Sequence, residues 1–262
     1  MFRPFFLTAA ACLGFLCALP AAAAAAGPEA QPMTQGFRDD FDRLDLGRWY
    51  VSDGWTNGPH QDCTWSRRAV RVQGGMLRLT HLPGGGEKPR PLCSEIRTRG
   101  FVQYGLIEAR IRTPRGSGKN AALFTFSKPS GKGPHDEIDI EILTRNPAEA
   151  SFNTFVDGKP AQGGVVPVDP PFDKAFHIVA IDWAPDRIRW FVDGRIVHET
   201  TPGIELPTHP QQLFLSFWST TTLTDWMGRQ DANAGPLDYE VDWIAWTPQG
   251  ADCLFPQSLA CR

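Results

Sequence analysis

The sequence predicts an all-β protein, a sandwich or a barrel, on three observations. Short runs rich in β-branched and aromatic residues alternate apolar with polar, Gly and Pro punctuate them throughout, and no long stretch carries a 3.6-residue apolar period. VRVQGGMLRLT (70–80) alternates on both sides of a Gly-Gly turn, and IEARIRT (107–113) alternates without interruption. In HIVAIDWAPDRIRWFVDGRIVHET (177–200) two turns, APD and Asp193-Gly194, separate β-rich runs. Asp-Gly between Phe191-Val192 and Arg195-Ile196-Val197 is a strong hairpin indicator, because the two-residue turn that matches strand twist needs positive φ at both central positions. LFLSFW (213–218) and YEVDWIAW (239–246) supply further strands.

Residues 1–26 read as a secretory signal peptide: one early charge (Arg3), an apolar run from Pro4 to Leu19, and an alanine-rich end suited to A-x-A cleavage. The run is short and interrupted at Pro20, which argues against a membrane anchor, and no later segment is apolar enough to span a bilayer. Leu16 before Cys17 argues against lipoprotein cleavage. A secreted or periplasmic protein, free of the membrane after cleavage, is expected. Residues 27–36 are expected to form a flexible leader, 37–248 one folded domain, and 249–262 a tail held by a cysteine pair. The remaining chain, about 236 residues, is long enough for one large β domain with a substantial core.

The whole chain carries a formal net charge of −3, and cleavage would remove only Arg3. With no basic patch or run, nucleic acid is not an expected partner, and a monomer is expected. Outside the signal peptide stand Cys63, Cys93, Cys253 and Cys261. An even number in an exported chain, without the CxxC spacing of a zinc site, favours two disulfides. Nested pairing is the alternative; sequence-near pairing, Cys63–Cys93 and Cys253–Cys261, is preferred. The first would close a loop whose constraint is worth roughly 3–4 kcal/mol in the chain-entropy picture. Both pairs are separate in sequence from the acidic stretch that follows.

PHDEIDIEILT (134–144) places acids at alternate positions with isoleucines between them. In an extended chain Glu137, Asp139 and Glu141 share one face, and Ile138, Ile140 and Ile142 share the other. Such a row suits the solvated face of a half-buried strand, since like charges about 6.7 Å apart repel by only about 0.6 kcal/mol in water. It also suits acid–base chemistry. Glu137 and Glu141 lie about 13 Å apart at Cα, and side chains leaning together over a concave face can bring their carboxyls to roughly 5–6 Å. Retaining glycosidases need about 5–5.5 Å, because one carboxylate attacks the anomeric carbon while the other protonates the leaving oxygen. The charge of Asp139 is expected to disfavour ionisation of both neighbours and so keep one glutamate protonated. The 9 tryptophans fit a sugar substrate, whose C–H faces match apolar rings.

HDEIDIEIL resembles the E-[IL]-D-x-E signature of glycoside hydrolase family 16, in the form without an inserted residue that marks the bacterial lichenases, the β-1,3-1,4-glucanases. The resemblance extends over residues 37–247, through SDGWTNGPHQDCTW (52–65), CSEIRTRGFVQYGLIEARIR (93–112), FHIVAIDWAPDRIRWFVDG (176–194) and FLSFWSTTTLTDWMG (214–228). It implies a jelly-roll sandwich of two curved antiparallel sheets with the cleft on the concave one. It implies Glu137 as nucleophile, Glu141 as general acid/base and Asp139 as the carboxylate between them. Glu95 and Arg97 match an E-x-R pair beside the nucleophile, where Arg97 would favour an ionised Glu137 if it reached it. Asn57 matches a sugar-binding loop asparagine, Trp218 a cleft tryptophan, and Asn153 joins the expected sugar contacts. A surface ion pair, a turn and core packing are the plainer readings of Glu95–Arg97, Asn57 and Trp218 respectively. The resemblance also implies the Cys63–Cys93 disulfide, no cofactor for catalysis, and a structural calcium with Gly75 (backbone oxygen) and Asp242 (carboxylate) as ligands.

Departures from that pattern fall in the subsites. His135 stands where the lichenases carry tryptophan, Phe126 and Phe155 where they carry tyrosines, and Ser216 where they carry asparagine. Each change removes or shortens a group that hydrogen-bonds or stacks on glucose, so altered subsites over a kept catalytic strand are expected. His-D-E-I-D, LPTHPQ (206–211) and the tail DCLFPQSLAC more closely resemble rhizobial endoglycanases that trim succinoglycan. The expected function is an exported retaining endo-β-glycanase acting on a β-1,3-1,4-type glucan or a β-linked bacterial exopolysaccharide such as succinoglycan. The alternatives are a transglycosylase of the same family, a lectin-like polysaccharide-binding protein and a structural envelope protein.

Overall fold

The computed structural model describes residues 31–85, 90–127, 133–231 and 234–262; the expected signal peptide lies outside them. The first strands are Phe37–Asp39 (β1), Trp49–Val51 (β2), Thr64–Trp65 (β3), Val70–Val72 (β4), Leu77–His81 (β5), Leu92–Thr98 (β6), Gly105–Arg112 (β7) and Lys119–Phe126 (β8). They are followed by Glu137–Leu143 (β9), Glu149–Val156 (β10), Lys159–Pro167 (β11), His177–Trp183 (β12), Ile188–Val192 (β13), Arg195–Glu199 (β14), Gln212–Ser219 (β15) and Leu237–Thr247 (β16). Among the described residues the α-helix is a single turn, Thr224–Met227.

The strands form two sheets. One has the order β14-β13-β12-β7-β16-β5-β4 with β1 on β16; the other has the order β11-β10-β9-β8-β15-β6-β2 with β3 on β6. Sequence neighbours such as β8 and β9 pair as hairpins, while β15 returns from far along the chain to lie between β8 and β6. This is the jelly-roll sandwich, all-β as expected. At the β13–β14 turn Asp193 and Gly194 have φ of 50° and 77°, the doubly positive turn that Asp-Gly favours.

Alternation builds the core. Ile138, Ile140 and Ile142 of β9 are buried with Ala121 and Leu123 of β8 and Leu213, Leu215 and Phe217 of β15, facing Ile107, Ala109, Val179, Ile181 and Trp190 of the other sheet. Each isoleucine contributes about 1.5–3 kcal/mol by leaving water, so three of them offset the mutual repulsion of the acids on the opposite face. The Trp190 indole crosses the core and donates to the Asp139 carbonyl at 2.9 Å, fixing the middle of β9 to the far sheet.

Both ends of the stretch from residue 31 to residue 262 are tied down. Residues 31–36 were expected within a flexible leader, but Pro32 bridges Phe101 and Met33 donates to the Phe101 carbonyl at 2.7 Å. Backbone groups that find partners along an open stretch of chain have no reason to stay loose. The pairs Cys63–Cys93 and Cys253–Cys261 are formed, with Cα separations of 5.6 and 5.2 Å. The tail packs on the outer face of the first sheet: Phe255 meets Trp243 at 5.2 Å, while Ser258 Oγ and the Leu259 N–H donate to the Glu108 carboxylate.

Candidate active site

The period of two that buries the isoleucines turns Glu137, Asp139 and Glu141 outward, onto the face of the second sheet away from the core. Cross-strand register then sets their neighbours. Glu137 lies opposite Phe126 and Phe155, Asp139 opposite Phe124 and Asn153, and Glu141 opposite Ala122 and Ser151. One strand further on, β15 places Phe214, Ser216 and Trp218 on the same face, and β6 adds Glu95 and Arg97. Loop residues Trp55, Asn57 and His60 close one side of a cleft of about 500 Å³.

The three acids do not share one electrostatic state. Burial pushes Glu137 up to about 7, aided by the charge of Glu141 and opposed by a hydrogen bond with Asp139. Asp139 is raised well above the ordinary carboxyl range by burial first, then by the charges of Glu137 and Glu141 and by that same hydrogen bond. A bond that lowers Glu137 and raises Asp139 is one in which Asp139 holds the proton and donates it to Glu137. Asp139 was expected to act through its charge. At 4% exposure its anion is poorly solvated, which favours its protonated form. Glu141 is pushed up to about 7 by burial, against hydrogen bonds from Asn120 at 2.6 Å and Asn153 at 3.0 Å.

Arg97 was expected beside the nucleophile, favouring an ionised Glu137 if it reached it. Its guanidinium lies 4.6 Å over the Tyr50 ring, where burial lowers its pKa and Glu95 is the foremost influence that raises it. Glu95 is itself pushed up to about 7 by burial, against a 2.5 Å hydrogen bond from Ser52 and the Arg97 charge. On the other side His135 Nε2 stands 3.4 Å from Glu137 Oε2, with its ring edge-on to Phe126 at 5.0 Å and stacked with Phe155 at 6.4 Å. Asn57 lines the cleft and its Oδ1 accepts weakly from Trp65 at 3.4 Å. Trp218 packs against the Cys63–Cys93 pair and meets His60 edge-on at 5.8 Å. That disulfide, separate from the acids in sequence, therefore supports a cleft wall.

The structure thus gathers Glu137, Asp139, Glu141, Asn57, Glu95, Arg97, Phe126, His135, Ser216 and Trp218 around one cavity. Asn153 and Phe155 stand beside it, Asn153 through Glu141 and Phe155 through His135. Sequence reasoning missed Trp55, His60, Phe124, Phe214 and Asn120. Phe214 follows the alternation of β15, which would have found it; Phe124 and Asn120 lie on β8, whose alternation is weak. The calcium ligands do not fit. Asp242 is paired with Arg110 at 2.6 Å, and a guanidinium on the one carboxylate repels a dication. Gly75 offers only the β4–β5 turn, and among the described residues no group of three or more His, Cys, Asp or Glu is placed to hold a metal.

Comparison with known proteins agrees with this geometry. Residues 57–245 match the family model described as Glycosyl hydrolases family 16. The endo-1,3-1,4-beta-glycanase ExoK of Rhizobium meliloti (strain 1021) is 42% identical over 228 residues, 87% of this chain and 84% of that protein. The beta-glucanase of Bacillus subtilis (strain 168) is 31% identical over 212 residues, 80% of this chain and 86% of that protein. Among solved structures, the Bacillus licheniformis beta-glucanase aligns with a TM-score of 0.77 at 28% identity, covering 82% of this chain and 99% of its own. A beta-1,3-1,4-glucanase (lichenase) derived from a mouse hindgut metagenome aligns at 0.76 and 30% identity, with the same coverage.

Proposed function

The chain belongs to glycosyl hydrolase family 16, and from that premise we propose that it is an exported, monomeric, retaining endo-β-glycanase. Its substrate is a β-1,3-1,4-type glucan or a β-linked bacterial exopolysaccharide such as succinoglycan. One observation carries the reading: on a single strand face, a carboxyl that accepts a hydrogen bond from its acidic neighbour stands four residues from a carboxyl clamped by two amides. In the first step a Glu137 oxygen bonds to the anomeric carbon as the glycosidic C–O bond breaks, and the leaving oxygen takes the Glu141 proton. Asp139 donates to Glu137 and steadies it in line. In the second step Glu141, now ionised, takes a proton from water as the water oxygen replaces Glu137 at the same carbon.

Aromatic faces at Trp55, Phe126, Phe214 and Trp218, with Asn57, Glu95 and Ser216 between them, suit several sugar rings laid across the strands. The match to an endo-1,3-1,4-beta-glycanase supports the linkage class, and two disulfides support an oxidising compartment. The test pairs Glu141→Ala with Glu137→Ala on an activated aryl glycoside. Glu141→Ala is expected to give a burst of leaving group followed by slow turnover, and Glu137→Ala no burst. The reverse pattern exchanges the two roles; no effect from either removes the assignment. Digestion of lichenan, laminarin and succinoglycan, with product linkages determined, separates the substrates. Transfer products in place of new reducing ends would mark a transglycosylase.

A further inference from the structure

Asn120 belongs to β8, opposite Trp218 of β15, and is completely enclosed. Its Nδ2 donates to Glu141 Oε1 at 2.6 Å, while its Oδ1 has no hydrogen-bond partner. A buried amide oxygen without a donor carries a real cost, so the side chain is held at this place by its other end. Asn153 donates to the second oxygen, Oε2, at 3.0 Å. Each carboxyl oxygen of Glu141 thus holds one N–H, and the plane of the carboxyl is fixed between β8 and β10.

We infer that Asn120 is a dedicated positioning residue for Glu141, an amide donor that orients its carboxyl and favours the ionised form needed when water is activated. The inference rests on the acid/base role proposed above for Glu141. Two opposed demands explain the arrangement. Glu141 must hold a proton when substrate arrives and must be an anion when the glycosyl intermediate is hydrolysed. Burial alone satisfies the first demand and resists the second. N–H donors to the carboxylate counter the burial, and burial remains the larger influence. Asn120 lies beneath the cleft surface, so it acts through Glu141 and touches no sugar.

Asn120→Leu keeps the size and removes the donor. The alkaline limb of kcat/KM is expected to move up by about one pH unit, since a hydrogen bond to a charged group is worth about that much in pKa. On an activated aryl glycoside the burst should persist while steady turnover and apparent KM fall together, the sign of an accumulating intermediate. A merely structural role would instead reduce burst amplitude and leave the pH limb in place, and that outcome overturns the inference. Carbon-13 NMR of glutamate-labelled enzyme reads the Glu141 titration directly; an unshifted titration in folded Asn120→Leu would also overturn it. Asn120→Asp provides a second variant if leucine impairs folding. It should retain activity at low pH, where the new carboxyl is protonated and can donate, and lose it steeply as pH rises. A profile parallel to that of the unmodified protein counts against the inference. Glu141→Ala run alongside separates the two readings. Acid/base behaviour there with unchanged Asn120 variants removes this inference alone, whereas no effect of Glu141→Ala removes the role assignment and this inference with it.

Discussion

Glu137 and Glu141 stand four residues apart on one strand face, and each is pushed up to about 7, yet their surroundings are different in kind. At the Glu137 end the partner is another acid, Asp139, whose carboxyl burial favours in the protonated form and which shares a hydrogen bond with Glu137; the flanking ring is His135. At the Glu141 end the partners are neutral amides from two neighbouring strands. A protonated acid can release its proton or change its hydrogen bond as charge moves, whereas an amide N–H stays a donor throughout. Similar pKa positions therefore conceal different chemistry: Glu137 has a neighbour that adjusts to its charge, and Glu141 has a fixed cradle. The number alone does not distinguish the two glutamates; their partners do.

The sharpest break in this comparison is Glu137→Gln. An amide cannot bond to the anomeric carbon and leave again, so turnover should fall by at least about 10⁴-fold on natural and aryl substrates alike while the fold persists. Near-normal hydrolysis by pure mutant protein would exclude Glu137 as nucleophile. Next in size is the contrast between Asp139→Asn and Asp139→Ala. If Asp139 works as a neutral donor, asparagine keeps an N–H for Glu137 and should remain within about tenfold of normal, while alanine should cost about 10²-fold or more. Equal losses would show that the charge of Asp139 is what matters.

A third effect is on stability. Glu141 has its folded pKa raised from the ordinary 4.5 to about 7, so the folded state binds this proton more tightly than the unfolded chain does. Its favourable contribution is complete below about pH 4.5 and is lost as pH rises through about 7. Glutamine does not titrate. Glu141→Gln should therefore be more stable than the unmodified protein at pH 8, by about 2–3 kcal/mol, with the difference vanishing near pH 4. Denaturant melts at the two pH values measure it, and a pH-independent difference would contradict the raised pKa. The smallest effect separates the disulfides. Breaking Cys63–Cys93 should lower Tm and raise KM modestly, because Trp65 and Trp218 pack against it. Breaking Cys253–Cys261 should lower Tm and leave KM unchanged. Equal KM in both variants would show that the Trp218 wall stands without its sulfur support.

What could be read from the sequence was what local alternation or pairing chemistry determines. The acid strand, the Asp193-Gly194 turn and the two cysteine pairs are of that kind. β8 was not read as a strand, because KNAALFTF offers alanines on both faces and little contrast between them. Asn120 was lost with it. Trp55 and His60 reach the cleft from a loop whose path is set by distant contacts, so no spacing rule points to them. The raised pKa of Asp139 depends on how completely neighbouring strands enclose it, a tertiary quantity invisible along β9 alone. The calcium expectation finds no support for a similar reason: the register across the β16 bulge brings Arg110 onto Asp242.

The tail sealed by Cys253–Cys261 has a practical corollary. Its hydrogen bonds to Glu108 hold the last residues on the sheet that does not carry the cleft. A linker appended after Arg262 would leave from the back of the sandwich. Anchored to a bead or a cell surface by that end, the protein would present its groove outward, open to a long polymer from either side.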